Sequence, residues 1–194
     1  MPPAVVRRLF AHYEELRRWA PRVDLIGPGT AEEAVERHFA ESLAALPWLP
    51  PAPPGGGSGG RLLDLGSGAG FPGLVLAAAR PDLEVFLVEP RERRRAFLAA
   101  VARRSGLEVE ILGARVSARA LPELPADVVT VRALRLEPAE WIALAGKLAP
   151  GAALLLWSGA SPPALPELFR PQRELRLPAS RDRRLRGYVV RGAP

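Results

Sequence analysis

Two carboxylates and a run of glycines carry the most legible chemistry in this chain. Asp64 lies within Leu62-Leu63-Asp64-Leu65, just ahead of Gly66-Ser67-Gly68-Ala69-Gly70-Phe71-Pro72-Gly73, and Glu89 closes a second apolar run, Val85-Phe86-Leu87-Val88. Glycines at such a turn let the backbone approach a ligand closely, and an acid ending the next strand can take the ribose hydroxyls. Glu89 follows Gly66 by 23 residues, the spacing of a strand–helix–strand unit. The candidate site is thus a nucleoside pocket built on Asp64, Gly66, Gly68, Gly70 and Glu89.

Charge narrows the ligand. Dinucleotide enzymes present a pyrophosphate to this loop and helix N-terminus, and Gly68-x-Gly70-x-x-Gly73 matches that fingerprint literally. Asp64, however, sits two residues before the first glycine, where it repels phosphate. S-adenosyl-L-methionine carries a sulfonium and an ammonium and no phosphate, so the same charge attracts it. That cofactor is the expectation; a NAD-type dinucleotide and a ligand-free turn are the alternatives.

These residues need a sheet to hold them. Strands are expected near 61–66, 84–89, 108–112, 127–132 and 152–157, and helices near 72–80, 91–105 and 138–148. Pro72 suits a first helical turn, and Gly73 lets that helix pack closely on the sheet. After Ser161-Pro162-Pro163 a short helix and strands near 173–178 and 187–191 complete the series. Such alternation predicts an α/β fold with a doubly wound, mostly parallel, seven-stranded sheet.

Ahead of it, residues about 4–19 place Val5, Leu9, Tyr13 and Leu16 at helical spacing. A second helix is expected after Thr30, where Thr30 and Glu33 form a capping box; its apolar stripe runs Val35, Phe39, Ser42, Leu43 and Leu46, with His38 near the edge. The Pro/Gly-rich stretch 50–60 reads as a flexible linker. The organisation expected is a helical extension over 1–49, that linker, and a cofactor-binding domain over 61–194.

With 194 residues and 48% hydrophobic content, the chain can build one full α/β core plus an appendage. No apolar run approaches the roughly 18 residues of a membrane span. Arg7, Arg8, Glu14 and Glu15 interrupt any signal-peptide core, so a cytoplasmic protein with no membrane partner is expected. The absence of cysteine and the presence of only two histidines exclude disulfides and thiol nucleophiles and argue against a metal site. The net charge of +6 rests almost wholly on arginine, Lys147 being the only lysine. Arginine recognises phosphate with a planar fork of donors, which makes nucleic acid a candidate partner; genomic base composition is the plainer source of the same residues.

Ligands of open α/β sheets lie beyond the carboxyl ends of the strands. Those ends also contribute Gly113-Ala114-Arg115-Val116-Ser117, Arg132 and Trp157-Ser158-Gly159. Arg132 ends the apolar run Val128-Val129-Thr130-Val131, where a charge either faces a cleft or pairs with an acid. Glu89 doubles as a favourable acid before a helix. Arg91, Arg93, Arg94 and Arg95 crowd that helix start against the helix dipole, a local violation that marks either an RNA-phosphate surface or a solvated face. Trp19, Trp48, Trp141 and Trp157 read as packing residues, and His38 as a packed imidazole.

Taken together, Arg37-His38-Phe39-Ala40-Glu41-Ser42-Leu43, the segment Leu63 to Leu74, Arg80-Pro81, Val88-Glu89, Arg93 to Leu98 and Val131-Arg132-Ala133 resemble the bacterial small-subunit ribosomal RNA N7-guanosine methyltransferases, also called glucose-inhibited division protein B. The resemblance covers most of residues 10–160, and Phe71-Pro72-Gly73 after the glycine loop is its specific part. It implies a class I S-adenosylmethionine-dependent methyltransferase with the cofactor against Gly66, Phe71, Glu89, the Val116-Ser117 backbone and Arg132. Arg132 would also position the reacting groups, and Arg37, His38, Arg93 and Arg94 would meet RNA. The implied target is a guanine N7 in 16S ribosomal RNA or the small ribosomal subunit; the chain itself is expected to be a monomer. N7 offers an unprotonated lone pair, so alignment without a general base can suffice. The chain departs from the family pattern at Trp19-Ala20, Asp24-Leu25-Ile26, Glu41, Ser117 and Ser158-Gly159. Those departures define the alternatives: a non-catalytic or retargeted paralogue, or a methyltransferase for a small molecule or protein.

Overall fold

The structure, a computed structural model, describes residues 1–27, 29, 31–54, 57–117, 126–177, 180 and 182–191, without the side chains of residues 31 and 32. Five parallel strands form its centre: β1 (Arg61–Leu65), β2 (Glu84–Val88), β3 (Val109–Leu112), β4 (Val128–Arg132) and β5 (Ala153–Ser158). Two more, β6 (Phe169–Arg176) and β7 (Arg184–Val190), complete a seven-stranded sheet of order β3-β2-β1-β4-β5-β7-β6. β7 runs antiparallel to both β5 and β6. The order reverses between β1 and β4, the place where open α/β sheets bind ligands.

Alternation along each strand divides the core in two. Leu62, Val85, Leu87, Val128 and Leu155 face one side, and Leu63, Val88, Val129, Val131 and Leu154 face the other. The first side is covered by α1 (Pro3–Trp19), α4 (Gly73–Ala79) and α5 (Glu92–Ser105), joined by a helical stretch from Ala31 to Leu43. That stretch comprises α2 (Ala31–Ala34), a π-helical segment (Val35–Ala40) and α3 (Glu41–Leu43). The second side is covered by α6 (Pro138–Lys147), which buries Trp141, Leu144 and Ala145. No helix among the described residues is long and apolar enough to cross a membrane.

Glycine is required where α4 meets the sheet. A Cβ at Gly73 would stand 2.4 Å from Leu87 Cδ2 and 3.0 Å from Asp64 Cβ. Within the 50–60 stretch, Arg80 Nη1 donates to the Pro50 carbonyl (2.8 Å), and the Gly59 amide donates to Asp82 O (2.7 Å).

Three expectations need correction. No helix follows Pro163: residues 162–166 are irregular, because Pro162, Pro163 and Pro166 remove donors and push preceding residues out of the helical region. β6 and β7 consequently begin at Phe169 and Arg184, earlier than the apolar alternation placed them. Val35 is exposed at 47% rather than inward, since the wider π-helical turn rotates the stripe so that Ala34, Phe39, Glu41, Ser42 and Ala45 are buried. The proposed Thr30 cap falls outside the described residues.

Candidate functional site

The loop after β1 owes its shape to three left-handed glycines, Gly66 (φ +73°), Gly68 (φ +54°) and Gly70 (φ +81°). Only glycine takes these angles without strain. The Gly66 and Ser67 amides donate to Val88 O at 2.9 and 3.0 Å, drawing the loop across the end of β2. A Cβ at Gly66 would meet the Leu134 side chain at 3.2 Å. Asp64 does not line the open lip. It is 1% exposed beneath the loop, where Oδ1 accepts from Thr130 Oγ1 at 2.7 Å and Oδ2 has no hydrogen-bond partner among the described residues. Burial pushes its carboxyl up to about 6, against the hydrogen bonds that favour the anion.

Glu89 joins the loop to the next helix. Its Oε2 accepts from the Gly68 amide at 3.0 Å and its Oε1 from the Arg91 amide at 2.9 Å. The same carboxylate therefore offsets the crowd of arginines at the start of α5. Arg95 Nη1 donates to Pro90 O at 2.6 Å, and Arg94 ion-pairs with Asp24 at 3.0 Å. Arg93 is exposed. Beyond β3, Val116 is buried in the second core and Ser117 is half-buried; residues 118–125 fall outside the description.

Arg132 ends β4 inside a buried charge cluster. Its Nη2 lies 2.9 Å from Glu41 Oε2 and also donates to Arg37 O, and its Nη1 donates to His38 O and Ser42 Oγ at 3.3 Å. Glu41 is 0% exposed. Arg183 Nη2 approaches its other oxygen to 2.6 Å, an ion pair without hydrogen-bond alignment. Trp157 Nε1 donates to Glu41 O at 3.0 Å, fixing the helical stretch over the ends of β4 and β5. Burial pushes the Glu41 carboxyl up while Arg132 and Arg183 oppose it. Burial also brings the Arg132 guanidinium down to about 10, with Glu41 opposing, so it is charged at neutral pH.

Phe71 is enclosed by two imidazoles. His12 stacks on it at 4.8 Å and His38 at 4.9 Å. His12 also reaches Ala69 O with Nε2 at 2.8 Å. Burial lowers His12 to about 4; burial and then the Arg132 and Arg37 charges lower His38 to about 3. Both rings are neutral at pH 7, and such weak bases are poor proton acceptors.

The structure brings Gly66, Gly68 and Glu89 to one lip, with Asp64 below it. Arg132, Arg37 and His38 gather at the neighbouring β4 end, reached from the loop through the Phe71 stack. Arg93 and Arg94 stand to the other side, at the start of α5. Sequence reasoning missed His12 and Arg183, and singled out Glu41 only as a departure from the family pattern. His12 lies on the α1 stripe, seven residues after Val5 and four before Leu16, so its burial had a periodic signal. Glu41 and Arg183 meet across 142 positions of chain, and no local spacing encodes that.

The comparisons with known proteins agree with this architecture. A family model described as rRNA small subunit methyltransferase G matches residues 6–184. A ribosomal RNA small subunit methyltransferase G from Desulfotalea psychrophila is 50% identical over 111 residues, 56% of this chain and 48% of that protein. Its namesake from Rhodospirillum rubrum is 40% identical over 155 residues, 80% of this chain and 69% of that protein. The matched stretch thus spans about half to two thirds of these relatives. Among solved structures, a SAM-dependent methyltransferase from Aquifex aeolicus superposes with a TM-score of 0.59 at 16% identity, covering 81% of this chain and 93% of that one.

Proposed function

The chain belongs to the rRNA small subunit methyltransferase G family, and from that premise we propose that it transfers a methyl group from S-adenosylmethionine to guanine N7 in 16S ribosomal RNA, in the cytoplasm. The observation that carries this reading is Glu89, whose carboxylate closes β2 and bonds to the Gly68 amide across the glycine loop. An ionised carboxylate has about four acceptor positions. The Gly68 and Arg91 amides use two, and two remain for a pair of vicinal ribose hydroxyls. Gly68 keeps the backbone bare beside that carboxylate, and the Asp64 charge beneath the loop favours a cationic ligand. The residues present therefore fit a sulfonium nucleoside.

When bound, the cofactor supplies an electrophilic methyl group. The residues assigned to hold it are Asp64, Gly66, Gly68, Gly70, Phe71, Glu89, Val116, Ser117 and Arg132. Asp64 acts from below the loop, and Phe71 through the shape its stack imposes. Arg132 aligns the reacting groups from the β4 end, where Glu41 and two backbone carbonyls fix its fork. Guanine N7 needs no proton removed, which suits a site whose imidazoles are held at about 3 and 4. Arg37, His38, Arg93 and Arg94 are assigned to the RNA side. The N7 of a stacked guanine becomes reachable once the base leaves its helix.

Incubating the protein with small subunits lacking the modification and tritiated-methyl cofactor tests the reading. Label in 16S RNA, recovered as N7-methylguanosine by nucleoside mass spectrometry, supports it. Label in another position or in protein, or none, contradicts it.

A further inference from the structure

A basic groove runs along the α1–α5 flank, beginning beside the cofactor lip. α1 and α5 lie antiparallel: Ser105 Oγ donates to Arg8 O at 3.3 Å near one end, and Trp19 packs on Phe97 with ring centroids 6.0 Å apart near the other. Between them is a hollow of about 480 Å³ lined by Arg18, Trp19, Arg22, Ala100 and Arg103 among others. A second hollow of about 330 Å³, lined by Asp24, Arg91, Glu92, Arg93 and Arg94 among others, shares Arg22 with the first. Because Arg22 lines both, the two are read together as one channel. The ten helical rises of α5 from Arg93 to Arg103 give it a length of about 15 Å.

The charges in this channel are unequally matched. Glu15 and Glu14 are taken by Arg104 at 2.9 and 2.6 Å, and Asp24 by Arg94 at 3.0 Å. Arg18 has only a 3.7 Å contact with Glu15, and its side chain is 72% exposed. Arg22, Arg91, Arg93 and Arg103 are exposed, and their guanidinia have no carboxylate partner among the described residues. Unpaired guanidinia gathered along one groove can meet several phosphates of one strand. One end adjoins the lip directly, because the Arg91 amide bonds to Glu89.

We propose that this channel is the track for the RNA backbone that leads the target guanosine to the cofactor lip. The proposal rests on the RNA-methyltransferase reading above and adds Arg18, Arg22 and Arg103 to the RNA surface. These contacts carry register and affinity rather than sequence.

The test compares wild type with Arg18→Ala/Arg22→Ala/Arg103→Ala and with an equal charge loss at the opposite sheet edge, Arg170→Ala/Arg176→Ala/Arg191→Ala. Each is titrated with 16S ribosomal RNA transcript at several salt concentrations, and S-adenosylmethionine affinity reports the fold. The groove variant is expected to bind cofactor normally. Its salt slope falls by about 2 and its RNA affinity at least about tenfold, while the control variant changes little. Wild type that methylates RNA while the groove variant keeps full slope and affinity overturns the channel alone. Wild type that neither binds nor methylates RNA overturns both readings. Salt-insensitive RNA binding by the wild type also refutes the proposal.

Discussion

Acid titration of the folded state tests the buried site most searchingly. His12 has a folded pKa of about 4 against 6.5 when unfolded, because burial disfavours the imidazolium. Its folded value is depressed, so between pH 6.5 and about 4 the unfolded chain binds a proton that the folded chain refuses. Stability is full above that window and lost on acidification, at about 1.4 kcal/mol per pH unit and about 3 kcal/mol in total. Asp64 acts in the opposite sense. Its folded pKa is raised from 3.8 to about 6, so its contribution is full below 3.8 and lost as pH rises through about 6. Across pH 4.5 to 5.5 the two slopes cancel, and deleting either group exposes the other. Relative to wild type, Asp64→Asn should gain stability with rising pH by about 1.4 kcal/mol per unit, and His12→Phe should lose the same amount. Urea unfolding of the three proteins at half-unit steps measures this, and the differences cancel every other titrating group. Parallel stability–pH curves for all three would refute the assignment of both burials.

Three further outcomes follow from single contacts. Glu41→Gln leaves the Arg132 and Arg183 guanidinia without their buried carboxylate, and should cost about 3 kcal/mol in urea unfolding; a loss below about 1 kcal/mol would show that the pairs contribute little. Gly73→Ala forces a methyl within 2.4 Å of Leu87 Cδ2, and should destabilise by about 1–3 kcal/mol, read from the thermal midpoint. Arg132→Ala should lower kcat for methyl transfer about 10²-fold through lost alignment, while the far-UV spectrum stays unchanged; an unaltered kcat would remove Arg132 from the site.

The parts of this fold that could be read directly are those fixed by local pattern. β1, β2, β4 and β5 are buried on both faces and so appear as continuous apolar runs. The glycine loop and Glu89 belong to one βαβ unit, which made the lip readable within some thirty residues. β6 was misplaced because all but Phe169 of its residues are exposed, leaving no alternation to find, and Pro171 coincides with a register shift that an edge strand tolerates. The stripe after Ala31 failed at Val35 because a helical wheel assumes 3.6 residues per turn, and residues 35–40 are π-helical. Asp64 was correctly read as an acid beside the glycine loop, but spacing cannot tell the lip from the space beneath it. Thr130 and Gly73 decide that, by bonding and by close packing. The charge cluster of Glu41, Arg132 and Arg183 was the least accessible, since each member comes from a distant segment and only the assembled sheet unites them.

The sulfonium nucleoside site at the ends of β1 and β2 is tested most directly by isothermal titration of S-adenosylmethionine into wild-type protein and into Glu89→Gln. One cofactor per chain should bind the wild type, and the variant, which keeps the size of the side chain but loses an acceptor charge, should bind about tenfold more weakly or worse. Absence of binding to the wild type, or equal affinity for both proteins, would contradict the account.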